Sequence, residues 1–186
     1  MKPFGKSYKD VQEATPVGFR KLPAGGYVCR IVTVEDTPAK EYLRVVYDIA
    51  EGEYAGFYSD DWGKDHPYAH QVYWSYKEKN RKYFKANMGA VDKSNGTEFN
   101  KALEGNKEFN ERALIGLQLG LLIGYEEYQT DRGDIRQRTT VAGARSVQTI
   151  RSGEFEVPPL KRLDGEKEPQ APVDGFIPVN DSDLPF

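Results

Sequence analysis

A chain of 186 residues, 38% hydrophobic and 12% aromatic, is long enough for one domain with a genuine core, and its low apolar fraction leaves rings to spare for the surface. Cys29 is the single cysteine, which excludes an intramolecular disulfide and a thiolate zinc cluster; no 18-residue apolar run and no charged-then-apolar leader occurs, so a cytoplasmic protein without a membrane span is expected. The net charge of −3 is unevenly spread: residues 164–186 hold six acidic side chains against Lys167, while the remainder has 25 basic against 23 acidic, so the overall acidity does not exclude a polyanion from the body.

Residues 1–24, punctuated by Pro3, Gly5, Pro16, Gly18 and Pro23, read as an irregular arm. Gly26 to Glu35 is β-branched and aromatic, as a strand requires, and Asp36 to Glu41 forms the following loop. In Tyr42 to Ala50, Leu43, Val45, Tyr47 and Ile49 share one face, which predicts a core face and leaves Arg44 outside. After a turn at 51–56, Phe57 to Trp62 is expected to start a third strand. Gly63 to His70 then interrupts it, before Gln71 to Tyr76 resumes extended character. Lys77 to Val91 carries Phe84, Met88 and Val91 at helical spacing, and Thr97 is placed to cap a short second helix burying Phe99 and Leu103. Ala113 to Tyr128 is the strongest strand pattern; Gly116, Gly120 and Gly124 within it suit a bent strand or a close backbone approach. Residues 129–134 form a hairpin loop, and Ile135 to Val147 the returning strand, with Arg136 and Arg138 on one face. Residues 151–163 are expected to be an ordered strap. Residues 164–180, rich in proline and poor in large apolar groups, read as a disordered tether.

Three strands, a helical segment and a two-stranded hairpin form the element order of an OB-fold, an all-β five-stranded barrel with its helix between strands 3 and 4, here spanning residues 25–163. A β-sandwich would need about seven strands at closer spacing. The last six residues pair Asp181 and Asp183 with Leu184, Pro185 and Phe186, a hook suited to a basic-rimmed apolar pocket on a partner. This ending resembles the acidic tip of bacterial and phage single-stranded DNA-binding proteins. The body is similar to the single-stranded DNA-binding proteins of phages and mobile elements in Gram-positive bacteria at Leu22–Tyr27, Tyr47–Gly52, Leu114–Gly116 and Phe155–Pro158. The resemblance implies an OB-fold that coats single-stranded DNA during replication or recombination. It also implies a tip that recruits replication or recombination proteins.

Binding a single strand without sequence preference needs cations tracking the phosphates and rings on which bases stack. Residues 62–85 interleave both kinds of side chain. Trp62 and Trp74 are expected as stackers and Tyr76 as a further contact, with Lys77, Arg81, Lys82, Arg44, Arg136 and Arg138 on the phosphates. Half of the rings in such a stretch belong to a core, and a basic run is ordinarily a solvated face. His66 and His70 sit at i, i+4, but Pro67 replaces the glutamate of a zinc-protease motif; with Asp60, Asp61 and Asp65 nearby they define a remote metal-nuclease alternative. An OB-like protein adaptor without nucleic-acid affinity is the other alternative. No phosphate loop, nucleophile elbow or Cys-His pair occurs, so neither catalysis nor a cofactor is expected. Oligomeric state, site size, DNA against RNA preference and the partner's identity stay open.

Overall fold

The computed structural model describes residues 22–105 and 109–163. Most of the expected arm, the tether and the tip residues Asp181, Asp183, Leu184, Pro185 and Phe186 lie outside the described residues. Five strands, β1 (Gly25–Thr37), β2 (Tyr42–Ile49), β3 (Gln71–Ser75), β4 (Gln118–Gln129) and β5 (Ile135–Arg145), form one antiparallel sheet in the order β3-β2-β1-β4-β5. Helix α1 (Asp61–Asp65) lies between β2 and β3, α2 (Arg81–Asn95) and α3 (Phe99–Glu104) between β3 and β4, and α4 (Val147–Ser152) after β5. Mostly-β architecture with a helical insertion between the third and fourth strands is therefore what the chain adopts. Among the described residues, β3 and β5 are the two edges of the sheet. No helix among them is long and apolar enough to cross a membrane.

The core lies on one face of this sheet and follows the alternation of each strand. Cys29, Ile31 and Val34 of β1, Leu43, Val45, Tyr47 and Ile49 of β2, and Leu119, Leu121 and Ile123 of β4 all point into it. A bulge between Ile31 and Thr33 resets the parity of β1, which is why Val32 turns outward while Val34 returns to the core. Burial pushes the Cys29 thiol and the Tyr47 phenol well above their ordinary values, so both stay neutral inside. Helix α2 closes the core with Met88 and Val91, two members of the predicted stripe; Phe84 is half-buried. Leu22, just before β1, is buried in the same core, and its carbonyl accepts the Tyr125 hydroxyl.

Four local expectations are corrected. Phe57 to Trp62 is not strand: Asp48 Oδ1 accepts the Tyr58 amide at 2.9 Å, holding a turn, and Asp60 then caps α1 by accepting the Gly63 amide at 2.9 Å. The helix expected from Lys77 starts at Arg81, after a 3-10 turn at Glu78–Asn80, and runs to Asn95, where Gly96 takes the left-handed conformation (φ 68°) that ends it. Thr97 does not cap α3. Asp92 reaches over from α2 and accepts the Phe99 and Asn100 amides at 2.8 and 3.0 Å, while Thr97 Oγ1 donates to the same carboxylate. Finally, Ala113 to Leu117 is a 3-10 turn (Glu111–Leu114) followed by left-handed Gly116 (φ 86°), so β4 begins only at Gln118.

The opposite side of β1 and β4 is covered by α4 and the strap. A Cβ on Gly120 would lie 2.3 Å from Ile150 Cγ1, one on Gly26 2.5 Å from Phe155 Cζ, and one on Gly124 2.9 Å from Pro158 Cβ. Close approach is thus the role of these glycines. The strap is anchored by Lys161, which pairs in parallel with Glu126, accepting the Glu127 amide at 2.8 Å and donating to the Tyr125 carbonyl at 3.0 Å.

Candidate nucleic-acid interface

Where β2 and β3 run side by side, the register sets the outward-facing side chains in rows. Arg44 stands opposite Glu35 of β1 and Tyr73 of β3, and Val46 opposite Gln71. Arg44 Nε donates to Glu35 Oε2 at 3.0 Å, and its Nη1 donates to Gln71 Oε1 at 3.3 Å. Gln71 Nε2 in turn donates to the Tyr73 hydroxyl at 2.9 Å. This chain of hydrogen bonds holds the Tyr73 ring on the surface, 51% exposed. The Tyr42 ring meets it edge-on, with centroids 5.0 Å apart. The result is a polar aromatic face on which a flat apolar group can lie, with one guanidinium beside it.

The same register corrects the main expectation about rings. Trp74 is 2% exposed and stands opposite Leu43 in the core, so it cannot stack on a base. Tyr73 and Trp74 must face opposite ways, and the indole buries the larger apolar area, so Trp74 took the inside. Tyr76 lies beyond the end of β3 and is half-buried, its ring edge-on to Phe84 at 6.0 Å and its hydroxyl donating to Asp36 Oδ1 at 2.9 Å. Burial, with the Asp36 carboxylate, pushes that phenol up to about 12, so it remains a neutral donor. It belongs to a cavity beside α2, away from the outer face of β2 and β3.

Trp62 is on the surface as expected, 38% exposed, and has company that sequence reasoning missed. His66 lies flat against its indole at 4.7 Å and donates through Nδ1 to the Trp62 carbonyl at 2.7 Å; Tyr68, 67% exposed, meets His66 edge-on at 5.6 Å. These three rings form a second exposed aromatic patch on the insertion before β3. His70 turns the other way. It is buried, stacked on Tyr58 at 4.5 Å, with its nitrogens against the Tyr47 and Gly63 carbonyls. The i, i+4 histidines therefore face separate environments, and no group of three His, Cys, Asp or Glu among the described residues is placed to share a metal ion.

Apart from Arg44, the expected cations fall into two groups. Lys77, Arg81 and Lys82 are exposed where the chain enters α2, with Lys82 Nζ 4.9 Å from the centre of the Tyr83 ring. Arg136 and Arg138 stand on β5 opposite Tyr128 and Glu126, with β1 and β4 between them and Arg44. Arg138 is bound at home, its Nε 2.6 Å from Glu126 Oε1 and its guanidinium over the Tyr128 ring at 5.4 Å. Arg136 lines the hairpin tip with Arg132 and Asp134. Among the residues expected as contacts, Arg44 alone shares the β2–β3 face. Tyr42 and Tyr73 were the missed partners, and pairing Trp74 with the inward Leu43 would have found them.

The chain belongs to the family described as Protein of unknown function (DUF669), whose model matches residues 9–120, from the arm through the insertion to the start of β4. No curated protein matches it.

Proposed function

We propose that the protein binds single-stranded DNA through the outer face of β2 and β3, coats it during replication or recombination of a phage or mobile element, and recruits partner proteins through Asp181–Phe186. The observation that carries this reading is the exposed Tyr73 ring, with the half-buried Tyr42 edge-on to it and Arg44, paired to Glu35, alongside. Strands 2 and 3 form the binding face of an OB-fold, and the order β3-β2-β1-β4-β5, with α2 and α3 before the β4–β5 hairpin, suits a partly open barrel of that kind. Rings of this type accept any base because every base has a π-face, and Lys77 and Lys82 at the start of α2 supply charge for the backbone. The Trp62–His66–Tyr68 patch extends the aromatic surface.

Titration of the protein with labelled oligo-dT at several salt concentrations tests the reading, because phosphate contacts make affinity fall steeply with salt. Binding that weakens with salt and quenches Trp62 is expected; Trp74, sealed in the core, contributes a constant background. A flat titration at low salt overturns DNA binding. If partner capture through the tip then persists, the chain is a protein adaptor instead. Deleting Asp181–Phe186 is expected to spare DNA affinity and abolish partner capture.

A further inference from the structure

A cavity of about 630 Å³ opens where β3 ends, a size typical of small-molecule sites. It lies beyond the end of β3 rather than on the aromatic face. Ser75 pairs with Tyr42, and the next residue, Tyr76, donates its amide to the Glu41 carbonyl at 3.0 Å and contributes its ring to the cavity wall. The remaining apolar lining comes from Leu43, Phe84, Leu103 and Phe109.

The polar groups around this lining are unequally engaged. Lys85 and Glu104 neutralise each other in an ion pair, Asp36 accepts the Tyr76 hydroxyl, and the Asn100 amide donates to the Lys85 carbonyl at 3.1 Å. The side chains of Arg81 and the half-buried Glu111 make no hydrogen bond or ion pair with another described residue. Among the described residues, that leaves one guanidinium fork and one carboxylate beside an apolar wall. A phosphate would meet three carboxylates here, and a cation would meet Arg81 and Lys85. A flat neutral ring with donors on one edge and acceptors on another meets neither objection. Guanine carries adjacent N1–H and N2–H donors that match the two oxygens of a carboxylate, and O6 and N7 acceptors that match a guanidinium fork.

We infer that this cavity takes one unstacked guanine base of the bound strand, with Glu111 accepting from N1–H and N2–H and Arg81 donating to O6 and N7. The inference rests on the single-strand reading above and adds one base-selective position to an otherwise tolerant surface. Turning a base out of a strand that is already single costs little, because no pair is broken.

Anisotropy titrations of the full chain with three labelled twelve-residue oligonucleotides test it: all thymine, the same with one central guanine, and the same with inosine, which lacks the N2 amino group. The guanine oligonucleotide is expected to bind about tenfold tighter than the thymine one. Inosine, which keeps N1–H, O6 and N7, is expected to lose part of that gain; the substitution Glu111→Gln is expected to return the affinity to the thymine level and to leave thymine binding unchanged, which also shows that the variant is folded. Equal affinity for guanine and thymine, a preference that survives Glu111→Gln, or one that inosine retains in full overturns the base pocket while strand binding stands. Failure of all three oligonucleotides to bind overturns both.

Discussion

The outer side of this sheet is built in two ways. Over β1 and β4 the residues are Gly26, Gly120 and Gly124, and Phe155, Ile150 and Pro158 occupy the space that their side chains would fill. Over β2 and β3 the residues are Tyr42, Arg44, Gln71 and Tyr73, linked to one another by hydrogen bonds and ring contact, and Tyr73 is open to water. Glycine is a poor strand residue because it has no side chain to pack, so its repeated use marks a face that another element covers. Tyrosine with its hydroxyl satisfied is stable at an interface with water, because it presents an apolar ring and keeps a polar tip. One half of the surface is finished by the chain itself. The other half leaves the Tyr73 ring open to water.

The strongest challenge to this division is Trp74→Ala, beneath the open face. It removes a fully buried indole and is expected to cost about 3–5 kcal/mol of stability in a urea titration. A cost below 1 kcal/mol would mean that the indole is not in the core. On the covered face, Gly120→Val forces methyl groups into Ile150 and is expected to cost about 1–3 kcal/mol, with α4 losing hydrogen-exchange protection before the sheet does. Uniform loss of protection across α4 and β4 would contradict a face closed by a separable element.

Tyr73→Ala sharpens the contrast from the other side. It is expected to weaken oligo-dT binding by about 1–3 kcal/mol while changing stability by less than about 1 kcal/mol. The reverse pattern, stability lost and binding kept, would make the ring structural. The smallest effect is expected at Glu51, which ties the turn after β2 to Arg151 in the last turn of α4. The hydrogen bond and charge of Arg151 hold this carboxyl below its ordinary value of 4.5. Its contribution is therefore complete above about pH 4.5 and is lost as pH falls through the lower folded value. In melts from pH 6 down to 3, Glu51→Gln should lie slightly below the unmodified chain at the upper end and converge with it at the lower end; a constant gap would show that the ion pair does not contribute.

Much of the fold was legible in local pattern. The alternation of β2, the apolar repeat of β4 and the Phe84–Met88–Val91 spacing each reported a face, because a side chain's direction follows from backbone periodicity alone. Element ends were less legible wherever a distant side chain set them: Asp48 turned the chain at Tyr58, and Asp92 capped α3 from across a loop. The candidate site was the least legible part. Trp62 and Arg44 are on the surface as expected, but the choice between Tyr73 and Trp74 depended on which of them β2 would place beside Leu43.

By itself the sequence determined that this is a mostly-β chain with a helical insertion, a core of alternating aliphatic residues and an acid-rich end, since composition and periodicity carry that information within a few residues of each other. Only the tertiary structure decided which rings face solvent, which glycines lie under α4 and the strap, and that Arg81 and Glu111 line one cavity. Those outcomes are set by strand register and by contacts between elements far apart in the chain, and no local pattern contains them.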